Sequence, residues 1–262
     1  MMLALVPLLL CQATSCGNED ETEEENTPTK QNITAVSVTP AKPGVGVGRV
    51  MPEAAEPNGI IICIDPGHGF MDGGTGDGIL PDGLLEKDIT MSIATKLSED
   101  LTRLGYTAIL THDGVNPPQA AVYDQIFNAN ERAAYANSIR MDYFISIHVN
   151  SASNPAAEGS RIYYYDNSIK VNPIGGAVAE LMGKAIEENM PEDVDPDVVD
   201  QSLDPYNSFA LCREVKYPSS LVEIGFCTNE TDAAKMVRDD WQEKFAQSLA
   251  NGINEYFTEY AE

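Results

Sequence analysis

Ile60-Ile61-Ile62-Cys63-Ile64-Asp65-Pro66-Gly67-His68-Gly69 is the stretch from which the fold can be read. A short apolar run bounded by turn residues is the pattern of a strand buried on both faces. This run ends in a Pro-Gly turn that carries one of only three histidines in the chain. An imidazole at the tip of such a strand sits on a rigid support, which is where binding and catalytic groups concentrate.

Working outward, strand and helix patterns alternate. After a glycine-rich loop, Asp72–Gly83, which lacks the spacing of a phosphate-binding loop, Ile89, Ile93, Leu97, Leu101 and Leu104 mark one face of a helix closed by Gly105. Strands are expected at Tyr106–Leu110, Asp142–Val149, Arg161–Tyr165 and Ser219–Phe226. Helices are expected around Asn130–Ile139, Pro173–Glu188, Thr231–Val237 and Trp241–Tyr256, and the acidic, proline-containing stretch Met190–Pro205 reads as a loop. The alternation predicts an α/β fold: a single three-layer domain over 59–262, with a mostly parallel central sheet and helices on both faces.

The 262 residues carry a formal charge of −25, of which residues 1–58 hold −5 and the remainder −20. That balance argues against binding nucleic acid or an anionic membrane surface through charge. None of the five cysteines forms a C-x-x-C pair, so thiolate metal ligation is not expected. Cys63 reads as a buried inert thiol, and a Cys212–Cys227 disulfide is left open.

Met2–Leu10 has the length of a signal-peptide core, without a basic residue before it. Ala13-Thr14-Ser15-Cys16 resembles the lipobox of bacterial lipoproteins, so residues 1–16 are expected to be a signal and lipobox segment, with Cys16 as the acylated residue. Cys11 is the poorer candidate because bulky Leu10 precedes it. Residues 17–58 are acidic and rich in Thr, Pro and Gly, the composition of a flexible tether. The chain is then an extracytoplasmic lipoprotein, or a secreted protein if Cys16 is not modified.

Period-two alternation in Tyr143–Asn150 puts Ser146, His148 and Asn150 on one face and Ile145, Ile147 and Val149 on the other. His148 therefore lies at the C-terminal end of its strand, as His68 lies just past the end of the first, and that edge of an α/β sheet is where ligands bind. Glu223 interrupts the apolar run Leu221–Phe226, where a carboxylate must be paired, functional or costly. Two imidazoles and a carboxylate suit Zn²⁺ with a position left open for water. Composition alone does not say which carboxylate binds the ion and which acts as base.

Four motifs in register, Asp65–Gly69, Glu86 ahead of a helix, Ser146–Asn150 and Val222–Phe226 with Asn229, resemble the zinc-dependent N-acetylmuramoyl-L-alanine amidases over about Ile60–Tyr256. The resemblance implies one Zn²⁺ held by His68, Glu86 and His148, a zinc-bound water as nucleophile, and Glu223 as general base and acid. It implies hydrolysis of the amide between N-acetylmuramic acid and L-alanine of the stem peptide in peptidoglycan. Asn150 is a candidate substrate contact or a turn-capping residue; Asp65 could orient a ligand histidine or stabilise its turn. The family often carries Thr-Arg after the second strand, where this chain has Thr111-His112; His112 is expected to be a loop residue rather than a fourth ligand. Met190–Pro205, with three prolines, does not suit the regulatory helix that some relatives place over the zinc. A peptidase cutting within the stem peptide and a non-catalytic wall-binding protein are the competing readings.

Overall fold

The computed structural model describes residues 54–70, 72–75, 80–114, 128–165, 174–191, 196–203 and 208–260. The proposed lipobox with Cys16, and residues 17–53 of the proposed tether, lie outside them. Six strands form one sheet in the order β2-β1-β3-β6-β4-β5: β1 Ile61–Pro66, β2 Thr107–Leu110, β3 Tyr143–Asn150, β4 Arg161–Tyr164, β5 Asp197–Asp200 and β6 Ser219–Phe226. The pairs β1–β2, β1–β3, β3–β6 and β4–β5 are parallel, and β4 runs antiparallel to β6. Among the described residues the α-helices are α1 Glu86–Arg103, α2 Ala129–Ser138, α3 Ile174–Asn189, α4 Ala210–Glu214, α5 Glu230–Met236 and α6 Asp239–Glu259.

Alternate residues of the central strands feed two cores. Ile62, Ile64, Ile145, Ile147, Val222 and Ile224 pack with α1, α3 and α6 on one face. Cys63 and Phe144 pack on the other, with Ala133 and Ala136 of α2 and Leu211 of α4. Both faces of β1 and β3 are thus covered, the reason these strands read as near-continuous apolar runs. Asp65, Ser146, His148 and Glu223 lie toward the C-terminal ends of β1, β3 and β6, with Asp65 covered by Arg132 of α2. β1 connects to β2 on one side and is paired with β3 on the other, making a switch point at which a crevice forms.

Met190–Pro205 is not simply a loop: Asp197–Asp200 forms β5, paired with β4, and Gln201–Leu203 makes a 3-10 turn. Its acidic ends hide a Val198-Val199 pair whose first member packs under Gly183 of α3. Cys212 and Cys227 are buried and not joined, so the open disulfide is not made, and Cys63 is fully buried between its isoleucines with its thiol pushed well up by burial. Among the described residues, no helix is long and apolar enough to cross a membrane.

Candidate active site

The turn after β1 is bent more tightly than its sequence suggests. His68 and Phe70 both adopt positive φ, 63° and 53°, a conformation that costs an L-residue energy and persists where the surroundings hold it. Gly67 lets that turn pass close to β3: a Cβ there would lie 2.5 Å from the Ile147 carbonyl and 2.6 Å from the His148 ring. Thr90 of α1 donates to the Gly67 carbonyl at 2.8 Å, tying turn to helix. His112, after β2, has both ring nitrogens engaged. Nε2 lies 2.9 Å from the Pro66 carbonyl and Nδ1 accepts the Gly114 N–H, while the ring packs on Phe70 and under Gly69. It is a buried prop for the turn and stands outside the cluster that the turn serves.

Below the turn lies a buried ionic cluster. Asp65 accepts hydrogen bonds from Thr111 and Ser146 at 2.7 Å and meets Arg132 of α2 at 2.9 Å. Burial alone would raise the Asp65 carboxyl; Arg132, Ser146 and Thr111 outweigh it and hold the group below its ordinary value. Asp65 therefore anchors the strand ends through Arg132 and Ser146, and no contact with a ring of His68 or His148 is among its hydrogen bonds.

Above it, His68, Glu86 and His148 bring nitrogen and carboxylate oxygen atoms within 4.8 Å of one another. Glu86 is the first residue of α1, almost fully buried, and its Oε1 lies 3.3 Å from His68 Nε2 and 3.1 Å from His148 Nδ1. Its position is fixed by backbone donors, Val149 N–H to Oε1 at 2.8 Å and Thr75 N–H to Oε2 at 2.6 Å. His68 Nδ1 meets Asp72 Oδ2 at 2.9 Å, which orients the ring and turns Nε2 toward Glu86. Burial opposes ionisation of Glu86, but its bonds to the two imidazoles prevail and keep it a carboxylate. Burial lowers the pKa of His148, leaving it in the neutral form a metal needs.

The spacing suits a small divalent cation. A tetrahedral ion about 2.0–2.1 Å from its ligands holds them roughly 3.3 Å apart, close to the separations from Glu86 to the two rings. Among the described residues Glu223 Oε2 is buried without a hydrogen-bond partner, as a polar atom beside an ion or water site would be, and His148 Nε2, the ring nitrogen that does not face Glu86, also has none. Gly74 keeps the approach clear, since a Cβ there would sit 2.5 Å from Glu86 Oε2 and 2.7 Å from His68. Glu223 stands directly across from His148 in the β3–β6 register. Burial first, then the charge of Glu86, raise its carboxyl to about 8, with His68 opposing.

A family model described as N-acetylmuramoyl-L-alanine amidase matches residues 62–255. The chain belongs to the N-acetylmuramoyl-L-alanine amidase family. The amidase is 32% identical over 197 residues to the sporulation-specific N-acetylmuramoyl-L-alanine amidase of Bacillus subtilis, covering 75% of this chain and 68% of that protein. It is 28% identical over 207 residues to the germination-specific N-acetylmuramoyl-L-alanine amidase of the same organism, covering 77% and 81%. Among solved structures, the amidase AmiC2 of Nostoc punctiforme superposes with a TM-score of 0.61 at 29% identity, over 76% of this chain and 97% of that one.

The remaining sequence candidate, Asn150, sits at a register shift between β3 and β6. Its Oδ1 accepts the Ser151 N–H at 2.8 Å, a turn contact of its own. Asn229 caps α5 through the Thr231 and Asp232 amides. Sequence reasoning missed Arg132 and Asp72; a buried arginine on an otherwise alanine-rich helix face was the available signal for the first.

Proposed function

We propose that this amidase is a zinc hydrolase that cuts the amide between N-acetylmuramic acid and L-alanine in peptidoglycan. The convergence of His68, Glu86 and His148 on one small volume, with Glu223 facing His148, is the observation that carries the reading. A zinc ion held by those three residues would supply Lewis acidity to the scissile carbonyl and lower the pKa of the attacking water. Glu86 and its two backbone donors hold the ligand set rigid, and Asp72 fixes the ring of His68. Glu223 accepts the proton of the water and delivers it to the nitrogen of L-alanine as the amide breaks. Burial favours the protonated form of the Glu223 carboxyl, so the proton it takes from the water is held until the amide nitrogen accepts it.

Among the described residues Glu223 Oε2 has no hydrogen-bond partner, and its position on a central, buried strand is one an apolar residue would fill at lower cost. Outside the described residues, the Ala13–Cys16 sequence supports lipid attachment at Cys16, with the acidic 17–58 segment as a tether toward the wall. A peptidoglycan substrate and a lipid anchor would both put the reaction outside the cytoplasm.

Glu223→Ala tests the chemistry. The variant should retain about one zinc per chain by metal analysis, yet release at least about a thousandfold less peptide from purified wall material. Mass spectrometry of the wild-type digest should show an intact stem peptide beginning with L-alanine. A shortened stem would assign the enzyme to the peptidases, and full activity of the variant would remove Glu223 from the mechanism.

A further inference from the structure

The β3–β6–β4 register sets His148, Glu223 and Arg161 side by side across the sheet, on one face. Neighbouring strands are about 4.8 Å apart, so the Arg161 backbone lies one strand beyond Glu223 and about two beyond the metal-binding cluster. The guanidinium is not left to wander. It stacks over the Phe226 ring at 5.2 Å and meets Asp197 of β5 at 3.7 Å. That ion pair is long and its carboxylate is 60% exposed, the kind that water screens and a better-placed anion displaces. Tyr163, two residues along β4, completes the surface: burial and then Glu223 push its hydroxyl above its ordinary value, Arg161 opposes, and the Asn150 side chain reaches it. Phe209 packs edge-on against the Tyr163 ring at 5.1 Å, which holds the wall in place.

The chemistry gives this row a direction. The carbonyl side of the scissile amide belongs at the cation, while the nitrogen of L-alanine must lie within reach of the carboxyl that protonates it. A leaving peptide that followed this row would run from the His68–Glu86–His148 cluster past Glu223 toward β4. A peptide residue spans about 3.3–3.6 Å, so the carboxylate borne by the residue after L-alanine falls within an arginine's reach of β4.

We infer that Arg161 binds a free carboxylate of the leaving peptide, on the residue after L-alanine, and is a specificity-determining residue for the wall chemistry this amidase accepts. The inference rests on the reaction proposed above. Planar guanidinium–carboxylate pairing discriminates against the corresponding carboxamide, which offers one acceptor and no charge.

Two synthetic muramoyl dipeptides, identical except that the residue after L-alanine carries either the carboxylate or its carboxamide, test this with the zinc-loaded enzyme. The wild type should favour the carboxylate at least about tenfold in kcat/KM, mainly through KM. Arg161→Gln should bring the ratio of the two substrates close to one, and Arg161→Lys should restore part of it. Asp197→Asn, which leaves Arg161 intact and removes its competitor, should widen the ratio. A wild-type ratio near one, or a ratio that survives Arg161→Gln in a variant with wild-type circular dichroism and melting temperature, overturns the assignment. If the wild type cleaves neither dipeptide while still releasing shortened stems from wall material, it is the proposed reaction that fails, and the subsite with it.

Discussion

At the scale of single residues, the groups that never touch substrate set the terms for those that do. Asp65 and Arg132 form a buried pair, their side chains 0% and 3% exposed. Removing the charge of Asp65 leaves a guanidinium uncompensated in the interior, so Asp65→Asn should cost about 3–5 kcal/mol by urea denaturation. The pH dependence has a definite sign. The folded Asp65 carboxyl is held below its ordinary 3.8, so its contribution is fully present above 3.8 and is lost as pH falls through the depressed value. Stability should therefore decline on acidification below about pH 4, and the Asn variant should lack that share of the slope. His112 acts through the backbone: His112→Ala removes the contact to the Pro66 carbonyl and leaves a gap under Gly69 and Phe70. Competition with a chelator should show zinc affinity lowered about 10-fold or more, whereas His112→Asn, which can still donate to that carbonyl, should recover part of it.

The elements carry the site through close approach. Two glycines separate its geometry from the stability of the fold. Gly67→Ala would push a methyl group into the Ile147 carbonyl and the His148 ring, so it should abolish zinc binding measured by calorimetry as well as lower stability. Gly252→Ala acts elsewhere, where α6 crosses α3: its Cβ would lie 2.5 Å from the Met182 backbone. That variant should lose about 1–3 kcal/mol while zinc affinity of the folded protein stays near wild type. If both variants lose metal equally, the turn after β1 is not a separately tuned element. The strand pairings are equally specific: β3–β6 decides that Glu223 faces His148, and β4–β6 that Arg161 lies next in the row.

For the whole molecule, the cluster is a cost of folding that a bound cation would offset. In the metal-free protein the Glu223 carboxyl is raised from 4.5 to about 8, so the folded state holds its proton more tightly than the unfolded chain. That contribution is complete below 4.5 and is lost as pH rises through about 8. Metal-free protein should therefore lose stability between pH 5 and 8.5, on the order of a few kcal/mol, and Glu223→Gln should flatten the curve. Zinc at a hundredfold excess over its Kd should add about 2.7 kcal/mol, seen as a higher melting temperature that Glu86→Gln does not show. A metal-free protein equally stable across that range would mean Glu223 is ionised before the ion arrives.

Most of the layer order was legible along the chain, because each central strand is an apolar run and each long helix repeats its apolar residues at helical spacing. Ile60–Ile64, Tyr143–Val149 and Ser219–Phe226 announce buried strands, and the odd polar residues within or just beyond them, His68, His148 and Glu223, announce themselves by contrast. Short edge elements did not: β5 is two valines between aspartates, and α4 is a single turn and a half, so neither has a period long enough to read. What only the tertiary structure decided is which atoms meet. Registers across non-consecutive strands place Glu223 opposite His148 and Arg161 beyond it, and a turn with His68 at positive φ brings its ring to Glu86 on a helix 18 residues later. Sequence specifies the period and polarity of each segment; the pairing of distant segments is set by the packing of two buried faces at once, which no single stretch contains.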